Sequence, residues 1–253
     1  ALAAQRYMHR YGTTEEQFAR VVVRGRGNAM RNPNAHLKGH ITVDDVINSP
    51  RVSWPYKLFD ICPRSAGAGA VVLTTESAAR ERRARPAFIT GIGGIANTVY
   101  MGDRMTPKAD TDFADQGEMV LAARECYAQA GITDPMAQID VAELYDPFST
   151  FQFPQLESLG FCARGTAQNL SDEGAFDMGG QLAVNPSGGT LCTNPIGVTG
   201  LVRIIEAARQ VMGTAGDMQV ANVHNALATA AGGSTQFFTT TLISDEPRTG
   251  NAT

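Results

Sequence analysis

The chain has 253 residues, 43% of them hydrophobic and 18% charged, with 26 glycines and 12 prolines. That is material for one large α/β domain or two small ones, and it excludes intrinsic disorder and a collagen-like fibre. With 21 basic against 25 acidic residues the formal charge is −4, which offers nothing to a nucleic-acid backbone, and the longest apolar runs, such as Ala68–Val72 followed by Leu73, are too short to span a bilayer.

The chain starts without Met, in Ala1-Leu2-Ala3-Ala4, and reads as a helix already under way, ending near Tyr11-Gly12. It lacks the long apolar core of a secretory signal. Thr13-Thr14-Glu15-Glu16 caps a second helix that runs to about Val23. From Arg24 to Pro55 the chain is polar, loop-like and rich in Gly and Pro, with a short helix at Val43–Asn48. Ser65–Thr74 reads as a small-residue approach into a buried strand, Ser77–Ala84 as a helix with a solvated basic face, and Ala87–Gly94 as a strand. Asp112–Ala130 has the spacing of an amphipathic helix ended by Gly131.

Ile139–Leu144 alternates as a strand and runs into Tyr145-Asp146-Pro147-Phe148, with Pro147 suited to the first turn of a helix reaching Leu159. Asn185–Thr190 is a turn, and Thr193–Gly200 leads into a helix through about Met212. Gln219–His224 and Gln236–Ile243 close the chain as strands, the second supported by the β-branched run Thr239-Thr240-Thr241. The tail from Asp245 reads as polar and frayed. Strands alternating with helices imply a layered α/β fold.

Several groups could carry chemistry. Tyr145 stands at the carboxyl end of a strand where a helix begins, a frequent place for binding and catalytic groups; the bland reading is a tyrosine whose hydroxyl is satisfied locally. Asn185-Pro186-Ser187-Gly188-Gly189 and Asn194-Pro195-Ile196-Gly197 are turns whose backbone could approach a ligand, or tight turns for their own sake. Gly232-Gly233-Ser234 is a further backbone donor candidate or merely a turn, and His224 is either a satisfied histidine or an acid/base. Gly91-Ile92-Gly93-Gly94 lacks the G-x-G-x-x-G spacing of a dinucleotide fingerprint. Cys62, Cys126, Cys162 and Cys192 form no C-x-x-C pair. No zinc-ligand spacing or disulfide framework is therefore present, and a cytoplasmic location is the expectation.

These segments, in this order, resemble the carboxy-terminal half of a thiolase: Tyr145–Thr150, Glu157–Cys162, Asn185–Gly189 and Asn194–Gly200. Tyr11–Thr14 and the Cys62-Pro63 segment match as well. The nearest branch is the sterol-carrier-protein type with its bacterial lipid-transfer homologues. The resemblance implies an αβαβα layered α/β fold with the carboxy-terminal half complete and the amino-terminal half truncated. Residues 1–84 would end the first half, including a loop or cap at about 24–57, and residues 85–253 would form the second.

A thiolase of this branch has His-Asp-Cys-Phe where this chain has Tyr145-Asp146-Pro147-Phe148, and Gly-His-Pro where it has Thr193-Asn194-Pro195. Thiolysis needs an activated thiolate and a second acid/base, and neither is supplied at these positions. What survives suits retro-aldol cleavage of a β-hydroxyacyl-CoA to a ketone and a shorter acyl-CoA. The steroid side-chain aldolases of the branch carry similar replacements. Tyr145 would be the base, assisted by Asp146 and His224, and Asn194 the oxyanion donor with backbone near Gly233 second. Coenzyme A enters as part of the substrate, with no covalently bound cofactor. Gly189, Arg24 and Arg31 are candidates to bind it, while Trp54 packs the loop onto the body. The resemblance also implies a homo-oligomer and a small OB-fold partner protein. Two other readings stay open: an acyltransferase whose nucleophile lies outside this chain, and a catalytically silent scaffold.

Overall fold

The computed structural model describes residues 1–83, 85–104, 112–233 and 235–248. Helix α1 spans Leu2–Tyr11 and is closed by Gly12 at φ 69°. Helix α2 spans Glu15–Ala29, opened by a reciprocal cap between Thr14 and Gln17. It runs past the expected end at Val23, and Gly25 is the glycine that allows a close approach there. A Cβ at Gly25 would already touch the Gly188 carbonyl, at 3.4 Å. Arg24 therefore lies on a helix, not in a loop. After α3 (Val43–Ile47), β1 (Arg51–Ser53) and β2 (Tyr56–Lys57) form a small antiparallel ribbon.

The expected buried strand over Ser65–Thr74 does not form. Among the described residues no strand pairs with it, and Val72 and Leu73 are 92% and 75% exposed. A strand needs a neighbouring ladder for its N–H and C=O groups, and this segment instead lies along Pro195, Leu201 and Ile205. Helix α4 (Glu76–Arg82) is exposed, and Ala84, its expected end, lies outside the described residues.

The main sheet has five strands in the order β3-β7-β6-β4-β5, where β3 is Phe88–Ala96, β4 Val141–Glu143, β5 Ala183–Val184, β6 Asn225–Gly232 and β7 Phe237–Ser244. Strand β4 is parallel to both β5 and β6, whereas β7 is antiparallel to β6 and β3. The β6–β7 register pairs Asn225 with Ser244 and Gly232 with Phe237. No strand forms over Gln219–His224: Asp140 takes both the His224 and Asn225 N–H groups, and the ladder starts at Asn225.

Alternate residues of each strand divide between two cores. Ala142, Val184, Leu227 and Leu242 face α5 (Met119–Ala130) and the helices beyond it. Val141, Ala183, Ala226 and Ile243 face the opposite layer. Next in the chain come α6 (Pro135–Gln138), α7 (Gln152–Ser158), α8 (Ala167–Asp172), α9 (Gly189–Cys192) and α10 (Thr199–Val211). Helix α10 supplies Ala207 and Val211 to the second core. Tyr7, Phe18 and Val21 from before residue 84 share the first core with Phe153, Leu156 and Leu227, so the hydrophobic interior runs across that position.

Two other predicted helices are shortened. The Asp112–Ala130 helix is a short 3-10 turn at Phe113–Asp115, a left-handed Gln116 at φ 51°, and then α5. Asp112 and Asp115 are drawn aside by Arg6 and Arg10. Pro147 does not open a helix. Helical turns begin at Ser149, because the Pro147 carbonyl is taken by the Cys62 N–H and Phe148 is extended in a bridge to Ile61.

The Gly91–Gly94 run is a seat for α5. A Cβ at Gly91 would collide with the Cys126 carbonyl, and one at Gly93 with that of Ala122. At Gly94 the nearest atom is Thr239 Cγ2, at 3.9 Å. Gly93→Ala is expected to lose about 1–3 kcal/mol, against about 0.5 kcal/mol or less for Gly94→Ala, read from urea unfolding midpoints of the two variants.

Candidate active site

Strand β4 ends in Glu143, and the next five residues set the site. Glu143 is fully buried and takes the Arg203 guanidinium at 2.5 Å, with Ser187 donating from Oγ at 2.7 Å and from its N–H at 3.1 Å. Burial pushes the Glu143 carboxyl up from its ordinary range, and the Arg203 charge opposes that shift. Three residues on, Asp146 accepts from the Thr190 N–H and Asn185 Nδ2, both at 2.8 Å, and from Gln152 Nε2 at 3.0 Å. Asn185 returns its Oδ1 to the Leu144 N–H at 2.6 Å. The Asn185–Thr190 turn is thus a clasp on the end of β4.

Gly189 is part of that clasp. It is buried at φ 68°, where a Cβ would strike Asn185 Nδ2 and stand 2.7 Å from Asp146 Oδ1. The expected ligand-facing role of Gly189 does not fit: its backbone serves the fold. Asp146 likewise spends both oxygens on protein donors, and burial lifts its carboxyl to about 7.

Tyr145 sits between these two anchors with its backbone held on both sides. Its N–H donates to Thr229 Oγ1 at 2.9 Å, and its carbonyl accepts from Gln155 Nε2 at 2.6 Å. Thr229 and Gln155 are themselves joined at 3.0 Å. The Tyr145 side chain is half-buried, and no described residue hydrogen-bonds its hydroxyl. Tyr7, Tyr11, Tyr56 and Tyr127 differ: their hydroxyls meet Glu157, Asp115, Thr150 and the Leu159 carbonyl. Burial raises the Tyr145 phenol, and the neighbouring Cys62 thiol adds to the shift.

Asn194 precedes α10 and is 4% exposed. Its Oδ1 accepts from Thr199 Oγ1 at 2.7 Å, which turns Nδ2 toward Cys62 Sγ at 3.1 Å. Its backbone is tied to Ser65 by two bonds, each 3.1 Å. Cys62 in turn donates its N–H to the Pro147 carbonyl at 2.9 Å. Tyr145, Asn194 and Cys62 therefore share one end of the sheet. Sequence spacing alone assigns Cys62 no place in the site. The only signal for it was the Cys62-Pro63 match, because its partner Asn194 lies 132 positions away.

The other candidates separate from this cluster. His224 precedes β6 at the opposite end of the sheet, exposed and paired with Asp245 at 2.7 Å. Five residues along β6 part it from Thr229 beside Tyr145, roughly 16 Å at strand rise. That separation leaves His224 unable to assist Tyr145 directly. The Arg24 side chain is only 9% exposed and bonds Ser171, Gln152 and Asp177, which leaves it no reach to a phosphate. Arg31 is exposed, with Nη1 on Met178 Sδ at 3.1 Å. Gly233 is exposed at φ 60° in the β6–β7 turn, while Ser234 beside it lies outside the described residues. Trp54 packs the ribbon onto α1 and α2, accepting from Gln5 and donating to Glu15.

Residues 103–245 match the family described as Thiolase C-terminal domain-like, and the chain belongs to it. Among curated relatives, a 17-hydroxy-3-oxo-4-pregnene-20-carboxyl-CoA lyase of Mycobacterium tuberculosis is 37% identical over 236 residues, covering 92% of this chain and 59% of that protein. A steroid side-chain-cleaving aldolase of Thermomonospora curvata is 38% identical, covering 92% and 58%. An acetyl-CoA acetyltransferase of Methanothermobacter thermautotrophicus is 35% identical, covering 87% and 56%. The chain thus spans just under three-fifths of the length of these relatives. Among solved structures, an Ltp2-ChsH2(DUF35) aldolase superposes with a TM-score of 0.85 at 37% identity, over 98% of this chain and 63% of that one. A monomeric SCP2-thiolase like protein of Mycobacterium smegmatis shares the fold, with a TM-score of 0.67 at 18% identity over 97% and 50%. Among the described residues no helix is long and apolar enough to cross a membrane.

Two stability predictions follow from the clasp. Arg203→Met leaves Glu143 buried without its cation and is expected to cost about 3–5 kcal/mol in urea unfolding. Asp146 holds its proton more tightly when folded than when unfolded. Its contribution is therefore full below about pH 4 and lost as the pH rises through about 7. Asp146→Asn is expected to flatten that part of the curve of unfolding midpoint against pH, besides lowering stability throughout.

Proposed function

We propose that this chain carries the site of a carbon–carbon lyase of the thiolase superfamily, cleaving a β-hydroxyacyl-CoA by retro-aldol chemistry to a ketone and a shorter acyl-CoA. The observation that supports this reading best is Tyr145, a phenol with a clamped backbone and a hydroxyl unclaimed by any described residue. The names of two relatives, a steroid-CoA lyase and a steroid side-chain aldolase, point to the same bond and to a steroid side-chain thioester as substrate. Coenzyme A enters as part of that substrate, and no covalently held cofactor is invoked.

In this reading Tyr145 takes the β-hydroxyl proton as the Cα–Cβ bond breaks and the ketone departs. The electron pair moves onto the thioester as an enolate, whose oxygen meets the Asn194 amide. Thr199 fixes that amide with its N–H₂ toward Cys62, and one hydrogen remains beyond that bond. Backbone near Gly233 is the second donor proposed. Asp146 acts by holding the strand end. Of the two candidate arginines, Arg31, whose side chain is exposed, is the proposed CoA contact.

An acyltransferase reading draws on the relative named acetyl-CoA acetyltransferase. It is disfavoured by Pro147 and Asn194, which stand where thiolase chemistry needs a thiol and an imidazole; the burial of Cys126 and Cys192 removes only those two as in-chain nucleophiles. Burial lifts those two thiols to about 11 and about 12. The aldolase structure pairs Ltp2 with ChsH2(DUF35), which supports a small partner protein here, with a homo-oligomer the proposed state of this chain. The division at residue 84 is proposed as one of descent from two thiolase halves. The four free cysteines suit a cytoplasmic setting.

Tyr145→Phe is expected to lower ketone release by about 10²–10⁴-fold with the fold intact, and Asn194→Ala by about 10²–10³-fold. Mass spectrometry of the products from a panel of β-hydroxyacyl-CoA thioesters, with and without the partner, reads both. Full ketone release by the Phe variant would remove Tyr145 from the mechanism. Thiol-dependent acetyl exchange with free CoA, without ketone, would replace the lyase reading by the acyltransferase.

A further inference from the structure

The geometry points to Cys62 as a second proton-carrying residue of this site, the group that delivers a proton to the enolate carbon; the inference rests on the lyase reading above. The location is set by three contacts. The Cys62 N–H is bonded to the Pro147 carbonyl at 2.9 Å, two residues from Tyr145. Ile61 is bridged to Phe148, and Asp60 accepts from Ser149 Oγ at 2.7 Å, so the whole 60–62 segment lies along the strip that carries the phenol. The sulfur then meets Asn194 Nδ2 at 3.1 Å, the amide proposed to face the enolate oxygen. A thiol beside the oxyanion donor stands within reach of the adjacent carbon. Unlike Cys126 and Cys192, Cys62 is not fully buried.

The chemistry asks for such a group. A retro-aldol step leaves a proton on the base and a carbanion equivalent at Cα, so the cycle closes only when a proton reaches that carbon. Burial raises both the Tyr145 phenol and the Cys62 thiol, so each is neutral and protonated at rest. A neutral phenol can accept the substrate proton only as it passes its own onward, and the proposed relay carries that proton through one water to the Cys62 sulfur. The transfer balances: the substrate O–H proton goes to the Tyr145 oxygen, the Tyr145 proton to sulfur through one water, and the thiol proton to Cα. The O–H bonding pair becomes the second bond of the ketone, and the Cα–Cβ pair becomes the new Cα–H bond. Both side chains end as they began, with no external acid, base or oxidant.

The test uses the intact protein in D₂O with a β-hydroxy-α-methylacyl-CoA, whose product is propionyl-CoA. Wild type is expected to release ketone and to leave one deuterium at the α-carbon in a single configuration. Cys62→Ser keeps a small group able to accept from Asn194 but offers a much poorer acid. Both Cys62→Ser and Cys62→Ala are expected to lose about 10²-fold or more in kcat with KM little changed, and to scramble the label. Wild-type rate in Cys62→Ser, or a label of single configuration in either variant, overturns the proton-delivery role. Loss of propionyl-CoA binding in Cys62→Ser would also overturn it, by assigning the thiol to structure. Absence of ketone from wild type would instead defeat the lyase reading itself.

Discussion

The carboxyl end of β4 depends on one buried ion pair. Glu143 and Arg203 are 0% and 1% exposed, and neither charge could stay there without the other. Their contact reaches from the last residue of β4 to the middle of α10, and Ser187 joins the turn before α9 to both. Three separate stretches of chain are thus fixed to one another at the point where the backbone leaves the sheet. Asp146, two residues beyond Leu144, repeats the arrangement with three neutral donors. Tyr145 is held between these anchors, so its position is a consequence of polar groups buried beneath it.

This placement separates residues of one chemical type into different roles. Four tyrosines have hydroxyls hydrogen-bonded to partners within the fold, whereas no described residue bonds the Tyr145 hydroxyl. Among the cysteines, Cys126 and Cys192 are core groups with thiols raised by burial, and Cys62 is tethered to the strip beside Tyr145. The arginines divide similarly: Arg203 and Arg24 are consumed by internal partners, and Arg31 faces solvent. Residue type alone is silent on which member of each set is available; burial and partner geometry decide it.

Helix α2, α5, β3 and β7 were legible from caps, periodicity and β-branched composition, since those signals act over a few residues. The failures share a different cause. Ser65–Thr74 has the apolar character of a buried strand but no described ladder beside it. Gln219–His224 reads as a closing strand, yet Asp140 takes the N–H groups at its end and the ladder begins only at Asn225. Asn185–Thr190 reads equally as a ligand-facing turn or a structural one, and the close approach its glycines make is to Asn185, Asp146 and Ala29. In each case the local pattern was real and a distant partner determined its use.

By itself the sequence determined the α/β class, the thiolase kinship and the strand-end position of Tyr145, because these follow from local periodicity and from motifs kept in order. Only the tertiary structure decided that Asp146 and Gly189 face inward, that His224 lies at the far end of the sheet, and that Cys62 meets Asn194 across 132 positions. The reason is physical. A side chain's reactivity depends on the dielectric and the hydrogen-bond partners around it, and those are supplied by residues that come together only when the sheet and its two helical layers close.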